Sequence, residues 1–133
     1  SFVEGISNFS FNSLTFCGHP SMASKYANPV LGRYEPDLDA ALHDADVVMT
    51  LRIQYERFEE TLDLDLDEYK QAYQLTSEKL EQAKGDAIIM HPGPVNYVEI
   101  SESVYQSEQS VIRNQIANGV AIRMAVLSRF LSS

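Results

Sequence analysis

Ala87-Ile88-Ile89-Met90-His91-Pro92-Gly93-Pro94-Val95-Asn96-Tyr97-Val98-Glu99 is the stretch whose reading decides the fold. It opens with an apolar run of strand length. Two prolines flanking a glycine then remove backbone N–H donors, so the chain cannot continue as a central strand and must leave it through a stiff turn. Such a turn holds backbone groups still. At the carboxyl end of a parallel sheet, it stands where α/β proteins place their ligands.

Working outward, two more short runs read as buried strands, Ser13 to Gly18 and Asp46 to Leu51. They are apolar and partly β-branched, as suits a parallel sheet covered on both faces. Cys17 is expected as a buried strand residue. Between the runs lie helical patterns. Asp37 to Leu42 follows Pro36 with acids in its first turn, and Thr76 to Lys84 opens on a polar cap and stops at Gly85. From Gln109 onward, Ile112, Ile116, Val120, Leu127 and Leu131 recur at helical spacing with no proline, which predicts a long terminal helix able to cover a sheet and to reach a neighbouring domain.

The order strand, helix, strand, helix, strand predicts the α/β class: a doubly wound, Rossmann-like parallel sheet in three αβα layers, closed by a long C-terminal helix. Residues 1–133 are expected to form a single domain. Gly5 to Ser13 is rich in turn formers, among them Asn8, Ser10 and Asn12, so the chain reads as opening in the middle of such an architecture.

Ten basic against nineteen acidic residues give a formal charge of −9, which disfavours a broad nucleic-acid or anionic-membrane surface. The acids concentrate between Glu56 and Glu68, read as a solvated mobile loop. The start Ser1-Phe2-Val3-Glu4 lacks the order of a signal peptide, there is no apolar run of about 18 residues, and a soluble cytoplasmic protein is expected. A single cysteine and three scattered histidines give no zinc-ligand spacing, and no cofactor is expected.

The second chemical signal is Leu51-Arg52-Ile53-Gln54-Tyr55-Glu56-Arg57, which follows a predicted strand directly. An arginine there presents a planar two-pronged donor to the crevice above the sheet, with the Gln54 amide beside it; carboxylate or phosphate is the natural guest. The alternative is that Arg52 caps a helix or pairs with an acid of the following loop. His91, opening the proline turn, reads as a structural residue bonded to its own backbone more readily than as an acid-base group.

Three motifs in series, Met90-His91-Pro92-Gly93-Pro94-Val95-Asn96, Leu51 to Arg57, and Asn118-Gly119-Val120-Ala121-Ile122-Arg123-Met124-Ala125, resemble the carboxyl-terminal, aspartate-binding half of bacterial aspartate carbamoyltransferase. The resemblance runs from about Leu14 to Leu131, and the His-Pro-Gly-Pro form points to the aspartate rather than the ornithine enzyme. It implies carbamoyl transfer from carbamoyl phosphate to L-aspartate in pyrimidine synthesis, without metal or covalent intermediate. It further implies that Arg52 and Gln54 bind aspartate and that Gly93 and Pro94 offer backbone carbonyls to the carbamoyl nitrogen. The catalytic donors and phosphate-binding arginines would lie in an amino-terminal carbamoyl-phosphate domain, so this chain would hold no catalytic residue, would not turn over alone, and would work in a homotrimer.

Two departures from the family pattern stand out. Ser1-Phe2-Val3-Glu4-Gly5-Ile6 occupies the place of Ser-Arg-Val-Ala-Arg-Ser, whose second arginine would hold the other carboxylate of aspartate. Asn96-Tyr97-Val98-Glu99 replaces the usual Asn-Arg-Gly-Val-Glu or Asn-Arg-Asp-Val-Glu. These losses keep open a non-catalytic relative retained for assembly or regulation. An unrelated mononucleotide-binding or receiver-like domain is disfavoured, since the chain has no glycine-rich phosphate loop and no acidic cluster at a strand end.

Overall fold

The computed structural model describes residues 5–21, 30–53 and 65–131. Its elements in chain order are β1 (Thr15–Cys17), β2 (Arg33–Glu35), α1 (Leu38–Leu42), β3 (Val47–Met49), α2 (Leu66–Tyr73), α3 (Ser77–Leu80), β4 (Ile88–Met90), α4 (Glu102–Tyr105) and α5 (Ile112–Leu131). All strand pairing is parallel: β1 with β2, and β3 with β4 in the register Val47↔Ile88, Val48↔Ile89, Met49↔Met90. Among the described residues these are two separate two-stranded sheets rather than one.

Why the helices begin where they do follows from their caps. Asp37 accepts from the amides of Asp39 and Ala40, Asp65 from those of Asp67 and Glu68, Thr76 from Lys79 and Ser101 from Val104. The expectation of a mobile acidic loop is corrected at its carboxyl end: Asp65, Asp67 and Glu68 cap and open α2, where the helix dipole favours negative charge. The remaining acids of that stretch, Glu56 to Asp63, lie outside the described residues. Helix α3 is shorter than its pattern suggests. After Leu80 the chain tightens into i−3 bonds, Gln82 to Lys79 and Ala83 to Leu80, and this lets the Lys84 amide reach the Ala45 carbonyl. There Lys84 Nζ also meets Asp46 Oδ1 at 2.6 Å, pinning the approach to β4 beside the start of β3.

The core is built around β4. Leu42, Leu75, Leu80, Ile89, Ile100, Val104 and Ile112 are buried together. A smaller cluster of Ile53, Tyr69 and Val98 lies beneath the segment that follows β3. Ile89 is held on both sides, by β3 and by hydrogen bonds with the 109–111 segment, and is fully buried. Gly32 permits the close approach of β2 to β1, since a Cβ there would collide with the Leu14 carbonyl. Only the first turn of α5 is sealed into the core; Ile122, Met124, Leu127, Phe130 and Leu131 are exposed. No helix among the described residues is long and apolar enough to cross a membrane.

Cys17 lies in β1 as expected but is exposed rather than buried, at the end of a strand of three residues. Partial enclosure of its sulfur, then the carboxylates of Glu35 and Asp37, push the thiol up to about 11. A raised value makes thiolate scarce at neutral pH, so alkylation of Cys17 by iodoacetamide at pH 8 should run at least about tenfold slower than that of a free peptide cysteine. Its rate should keep climbing toward pH 11. Truncating Ile89 to alanine should lower the unfolding free energy of the chain by about 2 to 5 kcal/mol in a urea titration, because the site is enclosed on both faces.

Candidate functional site

The carboxyl ends of β3 and β4 form one rim. The ladder continues one step past both strands, where the Thr50 amide donates to the Met90 carbonyl at 3.0 Å. From there the two chains diverge but stay tied. Asn96 Nδ2 donates to the Ile53 carbonyl at 3.3 Å, while Asn96 Oδ1 accepts from the Val98 amide at 3.1 Å. One asparagine thus braces its own turn and clamps the segment carrying Arg52.

Arg52 is exposed, directly between Leu51 and the buried Ile53. Arg52 lies between the last ladder bond of the two exits, at Thr50, and the Asn96 clamp on Ile53. Among the described residues Arg52 makes no ion pair, and it caps no helix. Gln54, expected beside it, lies outside the described residues. Of the four expected binding residues, then, Arg52, Gly93 and Pro94 come to the same rim, and Gln54 is not placed.

The proline turn is held from below. Gly93 has φ 71°, in the left-handed region that favours glycine, and the Gly93 to Pro94 peptide is cis. Its amide donates to His91 Nδ1 at 2.8 Å, as expected of a histidine bonded to its own backbone. The other ring nitrogen, Nε2, stands 2.6 Å from Glu99 Oε1. The His91 amide donates to Gln115 Oε1 at 2.9 Å, which ties the turn to the first part of α5. Ile116, one residue on, packs 3.4 Å from where a Gly93 side chain would begin.

Beyond the prolines the chain takes a tight path. Tyr97 adopts φ 58°, a conformation that costs a non-glycine residue about 1 kcal/mol or more. Its carbonyl accepts from Gln74 Nε2 at 2.8 Å, and its ring meets Tyr105 edge to face. Tyr69, buried beneath, has its phenol ionisation pushed upward, by burial first and then by the Glu99 carboxylate.

Three contributors escaped sequence reasoning: Asn96 as the clamp on Ile53, Gln115 as the anchor of His91, and Glu99 as its buried partner. Glu99 carried a signal. An acid between Val98 and Ile100 in an otherwise apolar run indicates a buried carboxylate with a dedicated partner. A surface hollow of about 380 Å³ lined by Tyr105, Gln106, Ser107, Ser110 and Arg113 shares no residue with this rim. Among the described residues no cluster of histidine, cysteine and acids could hold a metal ion.

The sequence and fold have counterparts among known proteins. The family model for the aspartate/ornithine carbamoyltransferase Asp/Orn binding domain matches residues 21–130. The aspartate carbamoyltransferase catalytic subunit of Coxiella burnetii (strain RSA 493 / Nine Mile phase I) is 41% identical over 133 residues, covering 98% of this chain and 42% of that protein. That of Xanthomonas oryzae pv. oryzae (strain MAFF 311018) is 50% identical over 96 residues, or 71% of this chain and 30% of the other. Among solved structures, aspartate transcarbamoylase from Trypanosoma cruzi in complex with carbamoyl phosphate is similar with a TM-score of 0.60 and 31% identity, over 72% of this chain and 30% of that one. The chain spans less than half the length of these relatives. It therefore belongs to the aspartate/ornithine carbamoyltransferase family and corresponds to its Asp/Orn binding domain.

Proposed function

We propose that this chain is the aspartate-binding half of an aspartate carbamoyltransferase, transferring the carbamoyl group of carbamoyl phosphate to L-aspartate in pyrimidine biosynthesis. The observation that supports the reading is the shared rim: the β3 and β4 ladder and the Asn96 clamp tie the segment that carries Arg52 to the segment that carries the proline turn. On this reading Arg52 and Gln54 hold a carboxylate of aspartate. The carbonyls of Gly93 and Pro94 accept from the carbamoyl nitrogen. The aspartate amino nitrogen forms a C–N bond to the carbamoyl carbon, the C–O bond to phosphate breaks, and the amine gives up one proton to the departing phosphate. Catalysis is then positioning of two anions together with stabilisation of the charge that develops on the carbonyl oxygen.

Several features accord with a domain that works beside a partner. The relatives are more than twice as long, and α5 carries a row of exposed apolar side chains. An amino-terminal carbamoyl-phosphate domain would supply the phosphate-binding groups and cover part of that helix. The doubly wound three-layer plan, a homotrimeric assembly and a cytoplasmic location belong to the same proposal. The parallel strand pairs and the likeness to solved transcarbamoylases support the fold part of it. A non-catalytic relative is the second reading, favoured by the absence of both arginines from Ser1 to Ile6.

The purified chain should show no carbamoyl transfer, whereas mixing or fusing it with a relative's amino-terminal half should restore turnover. Activity of the chain alone would contradict the division of the site, and failure of the combined protein would favour the non-catalytic reading. In the combined protein, Arg52→Ala should weaken binding of a bisubstrate analogue bearing phosphonate and aspartyl groups by roughly tenfold to a hundredfold, the loss of a charge-assisted contact. Calorimetric titration showing the same affinity in both would remove Arg52 from the site.

A further inference from the structure

We propose that Glu99 and His91 are a buried positioning pair that sets the aim of the Gly93 and Pro94 carbonyls; this rests on the transferase reading above. The pair is enclosed, with side-chain exposures of 0% for His91 and 5% for Glu99. The Gly93 amide can only donate, so the Nδ1 it meets carries a lone pair and the ring proton sits on Nε2, where it donates to Glu99. Glutamate on one side and amide on the other thus select one tautomer. In the opposite tautomer an Nδ1–H would confront the Gly93 N–H, two donors face to face, and the turn would have to rotate.

That rotation matters because of what the turn has left to offer. Pro92 and Pro94 have no N–H, so Gly93 holds the sole backbone donor of the three, and it is spent inward on His91. Among the described residues nothing donates to the carbonyl of Gly93 or of Pro94. Both remain acceptors for an N–H of a ligand, and the His91 bond anchors the Pro92–Gly93 peptide, from which their direction follows through the left-handed Gly93 and the cis peptide to Pro94.

Stability is a poor explanation for the pair. Glu99 Oε2 is buried without a hydrogen-bond partner among the described residues. Enclosing a half-satisfied carboxylate costs free energy that an apolar residue of the same size would not. What the carboxylate does supply is direction: it fixes a ring whose far edge is the floor of the proline turn.

The test has one arm on the chain and one on the combined protein. Nitrogen-15 spectra of the wild-type chain should show the His91 ring in the Nε2–H form with Nδ1 unprotonated; an Nδ1–H or doubly protonated ring overturns the proposal without any variant. In the combined protein, Glu99→Gln, which can still accept from Nε2–H, should keep kcat within about threefold, while Glu99→Leu should lower kcat by about tenfold to a hundredfold and leave the KM for aspartate nearly unchanged. The Gly93 amide resonance should move in Glu99→Leu and not in Glu99→Gln. Unchanged kcat in a folded Glu99→Leu protein, or a fall in kcat with the His91 and Gly93 signals unmoved, overturns the proposal. If Glu99→Leu does not fold, the proposal stands or falls on the wild-type ring spectrum and the Glu99→Gln rate. A wild-type combined protein without turnover, with the expected ring tautomer present, counts against the transferase reading and not against the tautomer.

Discussion

The parallel pairing of Val47–Met49 with Ile88–Met90 is the constraint on which everything at the site depends. Parallel strands in register bring their carboxyl ends to the same level, so the segments that follow them begin side by side however far apart they lie in sequence. Here the two exits have opposite characters. One leads to an exposed arginine, the other to a turn whose backbone is fixed by two prolines, a left-handed glycine and a buried histidine.

The rim is kept in place by a hierarchy of contacts. Fully buried Ile89 anchors β4 between β3 and the 109–111 segment, and Ile53 anchors the exit of β3 against Tyr69 and Val98. Polar side chains then fix the details. Asn96 joins the two exits, Gln115 joins the turn to α5, and Gln74 holds the Tyr97 carbonyl. Apolar burial supplies most of the free energy, and the few directed hydrogen bonds choose among backbone arrangements of similar burial.

How much of this was legible beforehand varied with chemistry. The β3 and β4 strands were readable because Val47-Val48-Met49 and Ile88-Ile89-Met90 are apolar runs of strand length, and the turn after β4 because two prolines leave few alternatives. The β2 strand was not, since Arg33-Tyr34-Glu35 has the composition of a loop and, among the described residues, pairs along one edge. Helix α2 was hidden for a related reason: acids that signal solvated loop are also the residues that cap and open a helix, and only the following Tyr69 and Tyr73 distinguish the cases. The apolar face of α5 was visible as periodicity, but periodicity does not say what covers it, and most of that face is bare. At the site, residue types were legible and partnerships were not, because Asn96 meeting Ile53 and Glu99 meeting His91 are decided by the folding of the turn itself.

The most direct measurement is a crystal structure of the chain joined to a carbamoyl-phosphate half and soaked with the phosphonate and aspartyl bisubstrate compound. The expected result is one bound molecule with a carboxylate within hydrogen-bond reach of the Arg52 guanidinium and its amide nitrogen facing the carbonyls of Gly93 and Pro94. A compound bound with Arg52 turned away, or with the proline turn on the opposite side of the occupied pocket, would contradict the shared rim.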